Sequence, residues 1–238
     1  MTQQLKLKQK KKQKEKQKSK QKQKEKQSTK ERVALHALQK QLSVLNLREV
    51  LILLSFMFGA GLLRVPMQAI PSAEPITFFA ILAGWLFGRK KGFAVGAGAL
   101  FVSNFFVFGG HGPWTIFQAL GFGIAGYLGG FLREKSGYVS AIIVAIIATL
   151  AFEIIMNISS IFVFPAGALL LFLTALPFTA IHLVSNVIFA LGLPKAKRFI
   201  YEKGQFNEKD ICSELIDKLK PVRKLPAKWK FWKRDSEI

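Results

Sequence analysis

The sequence predicts an all-α membrane protein: a bundle of six transmembrane helices with both termini cytoplasmic, preceded by a disordered basic N-terminal tail. Three observations predict it. Half of the residues are hydrophobic and the mean hydropathy is +0.27, yet the formal charge is +21, a pairing few soluble domains show. Charge and apolarity occupy different segments: residues 1–32 hold 14 Lys or Arg against 3 Glu, residues 195–238 are basic again, and the interval from Leu47 to Leu193 is dominated by apolar runs. The basic residues inside that interval gather in alternate connections.

The Lys/Gln stretch 1–32 has almost no apolar residue before Val33. It buries too little surface to fold, so it is expected to be disordered and to lie beside anionic headgroups rather than on a specific nucleic acid. Its length, and the lack of a small-residue cleavage pattern after it, argue against a cleavable signal and leave the first apolar run as an uncleaved anchor. Leu35, Leu38, Leu42 and Leu45 recur at spacings of three and four, which predicts an amphipathic helix over 33–46.

A membrane span needs about 17 to 25 apolar residues, and the runs are 47–63, 75–88, 92–108, 114–132, 138–164 and 167–193. They form a six-helix transmembrane domain over 47–193. The first opens with Asn46 and Glu49 at capping-box spacing. The second is short, but Glu74-Pro75 marks its start with a proline, whose missing N–H costs little in a first turn. Between the third and fourth, GGHGPWT (109–115) sets three glycines and a proline in the path of any continuous helix. After the last run, residues 194–238 read as a basic cytoplasmic tail. There Asn207 caps a helix with Ile211, Leu215, Ile216 and Leu219 on one face, and KWKFWKR mixes Trp229, Phe231 and Trp232 with charge as an interfacial anchor.

Orientation follows from Lys and Arg, which stay cytoplasmic near span ends. Arg89, Lys90 and Lys91 follow the second run, Arg133 and Lys135 follow the fourth, and both termini are basic. Six spans with both ends inside satisfy every connection, so the chain is expected to be a multi-pass protein of the plasma membrane in contact with the lipid bilayer. GGHGPWT then faces outward.

An ionisable group within a span is costly and marks a pathway or a binding site. Glu153 and Asn157 share a face of the fifth span, and His182 and Asn186 share one of the sixth. Placed by depth, Asn104, Gln118 and Asn157 fall in the outer half of the bilayer and Glu153 near its middle. With Trp114 they are expected to line one outward-opening pocket; the alternative for each is a hydrogen bond between helices. His182 and Asn186 lie nearer the cytoplasmic half, where that alternative weighs more. Small residues also recur at helical spacing: Ser55 and Gly59, Gly92 and Gly96, and Gly121, Ala125 and Gly129. Such rows let helices pack closely or present a flat face to a partner.

Catalysis finds no foothold. The sequence has no H-E-x-x-H, no G-x-S-x-G, no paired cysteines and no G-x-x-x-x-G-K-[ST] phosphate loop. No catalytic residue and no cofactor are expected, and His111 has no further ligands in its loop for a metal. Cys212 is the only cysteine and lies outside the apolar block. Any ATP-driven role therefore needs separate ATPase subunits.

The pattern resembles the membrane-embedded substrate-binding S component of energy-coupling factor (ECF) vitamin transporters. The likeness covers 47–193 and rests on six spans, both termini inside, the proline-containing loop RVPMQAIPSAEP after span one, and GGHGPWTIFQALGFGIAGYLGG leading into a glycine-rich fourth span. It implies capture of a vitamin-like small molecule near the outer face. It also implies docking on an ECF transmembrane coupling protein driven by two cytoplasmic ATPase subunits. The loops implied to close over the substrate are Arg64 through Pro75, Gly109 through Thr115, and Pro165 through Gly167, which makes Arg64, Gln68, Glu74, His111 and Pro113 gating positions. The docking surface implied by the resemblance, alanines four apart on span one, is here Ser55 and Gly59. Two other classes fit the same sequence: a structural membrane protein of cell-envelope assembly that recruits partners through its basic tails, and a proton-coupled carrier built on Glu153 and His182.

Overall fold

The computed structural model describes residues 2–163, 167–204 and 206–219, and among these every regular element is a helix. In chain order they are α1 (Thr2–Met67), α2 (Ile76–Phe87), α3 (Arg89–Ser103), α4 (Trp114–Gly129), α5 (Tyr138–Val163), α6 (Ala168–Ala190), α7 (Leu193–Lys203) and α8 (Phe206–Leu219). The chain divides into two units, Leu47–Gln205 and a second made of Met1–Asn46 with Phe206–Ile238.

The first difference from the sequence reading is α1. It is continuous from Thr2 to Met67, where a disordered tail, a separate amphipathic helix and a capped first span are expected. Lys, Gln, Glu, Leu and Ala all favour helix, and no Gly or Pro occurs before Gly59. Propensity therefore favours helix through that stretch. Asn46 caps nothing, because the helix runs through it. Glu49, read as its capping partner, is instead buried and paired with Lys91 at the start of α3.

In the second unit, Leu35, Leu38 and Leu42 are half-buried and Leu45 is buried, with exposed residues between them, the stripe expected of an amphipathic helix. On α8 the buried face is Phe206, Cys212 and Ile216, whereas Ile211 and Leu215 are exposed. Of the face read from the sequence, Ile216 is buried as expected, while Ile211 and Leu215 give way to Phe206 and Cys212. Asn207, read as a cap, lies inside the helix, which starts one residue earlier at Phe206. Glu214 and Lys218 pair across one exposed turn, and the Lys218 hydrogen bond and charge hold the Glu214 carboxyl below its ordinary value. The KWKFWKR segment and Pro165 lie outside the described residues.

In the unit Leu47–Gln205, α2 is the central element and touches α3, α4, α5, α6 and α7. Eight of its twelve residues are buried, from Ile76 and Thr77 through Ala80–Trp85. A helix that is apolar all round belongs in an interior, which explains why a run too short for a span is so hydrophobic. Glycines set the helix spacing. A Cβ on Gly92 would lie 2.3 Å from the Gly126 carbonyl oxygen, one on Gly96 2.1 Å from that of Phe122, and one on Gly84 2.0 Å from that of Gly126. Helices α2, α3 and α4 therefore meet backbone to backbone, the packing that small-residue rows permit. The α2–α3 turn is made at Gly88, whose φ of 91° suits glycine.

Among the described residues, three helices are long and apolar enough to cross a membrane: Arg32–Met67, Tyr138–Phe162 and Leu169–Ala190. Helices α2, α3 and α4, at 12, 15 and 16 residues, extend about 18 to 24 Å, less than the roughly 30 Å of hydrocarbon. Along α5 the exposed residues Ile143, Ile147, Leu150, Ile154, Ile158 and Ile161 form one apolar stripe. In water such a stripe is a liability; in lipid it is the ordinary outer face of a bundle. The folded unit also extends past the expected end of the membrane domain at 193, because α7 packs against α2, α5 and α6.

Candidate functional site

Where α1 ends and α2 begins, one side chain organises two connections. The Arg64 guanidinium donates to Glu74 Oε1 at 2.9 Å, and to Ser103 Oγ and Asn104 Oδ1 at 3.0 Å each. Ser103 and Asn104 are 0% and 3% exposed, so this charge is satisfied inside the protein as buried charges must be. Asn104 Nδ2 points on to Thr115 Oγ1 and Gln118 Oε1 at 3.5 Å, the long limit of such bonds. Gln68 joins from the other side, its Oε1 accepting from the Phe108 amide at 2.9 Å. The segments 68–75 and 104–113 are therefore stitched together through Arg64, Gln68 and Asn104.

A cavity of about 320 Å³ lies against this cluster, lined by Arg64, Gln68, Ser72, Glu74 and Phe108 among others. Glu74 Oε2 is buried without a hydrogen-bond partner. An unpaired acceptor of this kind is costly unless something supplies a donor. Ser72, on the same wall, has φ 61°, a left-handed conformation that a residue with a Cβ rarely takes. A second cavity, about 460 Å³ and almost wholly apolar, is lined by Ile181, Val184 and Ile188 of α6. Met67, Ile70 and Ala73 line both cavities.

The second polar cluster lies between α5 and α6. Glu153 Oε1 is 2.7 Å from His182 Nδ1, and its Oε2 accepts from Thr179 Oγ1 at 2.9 Å. One turn away Asn186 Nδ2 donates to Thr149 Oγ1 at 2.8 Å. His182 Nε2 and Asn186 Oδ1 are buried and unpartnered. The His182 ring meets Phe152 edge-on at 5.3 Å, and Phe152 packs on Phe122 at 4.5 Å.

The five residues expected to line one pocket thus divide. Asn104 and Gln118 meet in the Arg64 cluster. Glu153 sits in the α5–α6 cluster, and Asn157 turns its amide back to the Glu153 carbonyl oxygen at 2.9 Å. Trp114 is 38% exposed and covers Gly112. Among the gating positions, Arg64, Gln68 and Glu74 line the 320 Å³ cavity. His111 is exposed and packs on Phe101 and Phe105 at 4.7 and 4.6 Å, while Pro113 is exposed just before α4. No group of three or more His, Cys, Asp or Glu side chains is placed to hold a metal among the described residues. Ser55 is exposed, its hydroxyl bonded to Leu51 O, and a Cβ at Gly59 would meet nothing within 4 Å. That face of α1 is open.

Sequence reasoning missed Ser103, Thr115 and Thr179. Thr179 precedes His182 by three residues, on the same face of α6, which is the signal it offered. The Glu153–His182 contact was also missed by placing the two at different depths. Both lie equally far in sequence from the Gly167–Ala168 peptide, as do Thr149 and Asn186, so antiparallel packing of α5 on α6 sets each pair at one level.

Helices long enough to cross a bilayer, an exposed apolar stripe along one of them, and polar clusters gathered between helices mark a helical membrane protein. The chain belongs to a family of unknown function, DUF6580, which it matches over residues 45–205. That stretch coincides with the unit containing both polar clusters. No curated protein and no solved structure matches the chain.

Proposed function

We propose that this chain is the membrane-embedded substrate-capture subunit of an ATP-driven importer of the ECF type, taking up a vitamin or related micronutrient. In this reading six helices lie in the plasma membrane as passes of the chain, α2, α3 and α4 being shorter than its full thickness and packed within the bundle, with both termini inside and the Arg64 cluster at the outer surface. The observation that carries it is Arg64 itself. One guanidinium holds Glu74 on one connection and Ser103–Asn104 on another, at the wall of a cavity where a carboxylate oxygen awaits a donor. Residues that link two loops over a cavity are suited to close on a ligand and to part when it leaves. The apolar cavity sharing Met67, Ile70 and Ala73 favours a ligand with a polar end and an apolar body. The open face at Ser55 and Gly59 suits a coupling subunit, and the transport cycle asks no catalysis of this chain.

The test is uptake in proteoliposomes of labelled riboflavin, thiamine, biotin, folate and cobalamin, with and without ECF coupling and ATPase subunits. Accumulation of one compound only when the ATPases are present supports the proposal. Uptake that proceeds without them and collapses on Glu153→Gln supports a proton-coupled carrier instead, the reading favoured by the buried Glu153–His182 contact.

A further inference from the structure

At the opposite ends of the same helices, where α5 begins and α6 gives way to α7, a cavity of about 410 Å³ lies outside both polar clusters. Its lining holds four cations, Lys135, Lys195, Lys197 and Arg198, against two carboxylates, Glu134 and Glu202. Lys197 is fixed: its ammonium donates to the Glu134 carbonyl oxygen at 3.1 Å and lies 5.7 and 5.3 Å from the ring centres of Trp85 and Tyr201. Trp85 is anchored in turn by donating its indole N–H to Arg133 O at 2.9 Å. Lys135, Lys195 and Arg198 are exposed and form no ion pair among the described residues. Gly137 and Tyr138, at the start of α5, line the same space, and the first turn of a helix carries backbone N–H groups with no acceptor inside it.

We infer that this cavity holds the phosphodiester of an anionic phospholipid. A phosphate is the ligand that guanidinium, ammonium and helix-terminal N–H groups share. The surroundings select a lipid over free phosphate. The cavity lies at the ends of two helices long enough to cross a bilayer, which is headgroup depth. Next in sequence to its lining residues Tyr138 and Arg198 stand the exposed apolar side chains of Val139, at 72%, and Phe199, at 63%, which suit acyl chains. The excess of cations selects an anionic over a zwitterionic headgroup. The inference rests on the membrane reading and not on transport, so it stands or falls without a substrate.

The experiment uses the full chain in nanodiscs of phosphatidylcholine alone, or with phosphatidylglycerol. Thermal midpoints and the lipids retained in native mass spectra are read for the wild type, for Lys195→Gln/Arg198→Gln, and for the charge-matched Lys209→Gln/Lys218→Gln on α8. In the wild type, phosphatidylglycerol raises the midpoint and one molecule is retained. In Lys195→Gln/Arg198→Gln its affinity falls by about 30-fold, and in the control it is unchanged. Equal stabilisation by phosphatidylcholine, equal loss in the control, or reproduction of the shift by inorganic phosphate in phosphatidylcholine discs overturns the proposal.

Discussion

Arg64 and Glu74 meet at 2.9 Å with only 13% and 16% of their side-chain surfaces exposed, so each is the other's principal charge partner in a place water barely reaches. Removing one of a buried pair strands the other, which typically costs about 3 to 5 kcal/mol. Arg64→Ala should therefore destabilise the protein by about 3 kcal/mol, while Arg64→Ala/Glu74→Ala should recover part of that loss. A double-mutant cycle by denaturant unfolding in detergent micelles checks it. Strictly additive losses would show that the contact carries no coupling.

Glu153 and His182 join α5 to α6, and their expected coupling is about 1 to 2 kcal/mol, the upper range for polar contacts between membrane helices. Glu153→Gln/His182→Gln, compared with its single variants in the same unfolding assay, measures it. Thr179→Val should cost less, because Glu153 Oε1 keeps its histidine.

Glycine positions separate packing from docking. Gly92→Ala places a methyl group 2.3 Å from a backbone oxygen on α4, where no side chain can yield, and should lower the melting midpoint sharply through overpacking. A Cβ added at Gly59 meets nothing within 4 Å, so this position has room for Gly59→Leu. That substitution should leave the midpoint unchanged or slightly raised, and abolish co-purification of an ECF coupling subunit if the open face of α1 is the docking surface.

Ser72 holds a left-handed backbone at φ 61°, which costs roughly 1 kcal/mol relative to glycine. Ser72→Gly relieves that strain but adds freedom to the unfolded chain, so it should change stability by less than about 1 kcal/mol, whereas Ser72→Val should cost more than about 1 kcal/mol. Equilibrium unfolding of each single variant reads the difference.

Much of the helix order was legible because Gly and Pro punctuate it: Pro75 stands just before α2, Gly88 between α2 and α3, and Pro113 just before α4. The glycine row of α3 likewise announced a close approach, Gly92 and Gly96 meeting the backbone of α4, whereas in the row read on α4 Gly121 faces Phe152 of α5 and Gly129 the backbone of α2. Where α1 starts was not legible, since a lysine- and glutamine-rich stretch satisfies both the composition of a disordered tail and the propensities of a helix. Partners distant in sequence were the hardest. Glu49 looks like a cap until Lys91 is beside it, and Arg64 looks like a loop charge until Ser103 and Asn104 surround it. The outer pocket was read as one because depth was judged span by span. Only the pairing of α5 with α6 shows Glu153 already engaged with His182 and Thr179.

Ligand capture at the Arg64 cluster is tested most directly by calorimetric titration of the purified full-length chain with riboflavin, thiamine, biotin, folate and cobalamin, alongside Arg64→Gln. One compound should bind at one per chain, and Arg64→Gln should weaken it by about 30-fold, the loss of a charge-assisted hydrogen bond. Binding of none of the five, or binding that Arg64→Gln leaves intact, would contradict capture at this site.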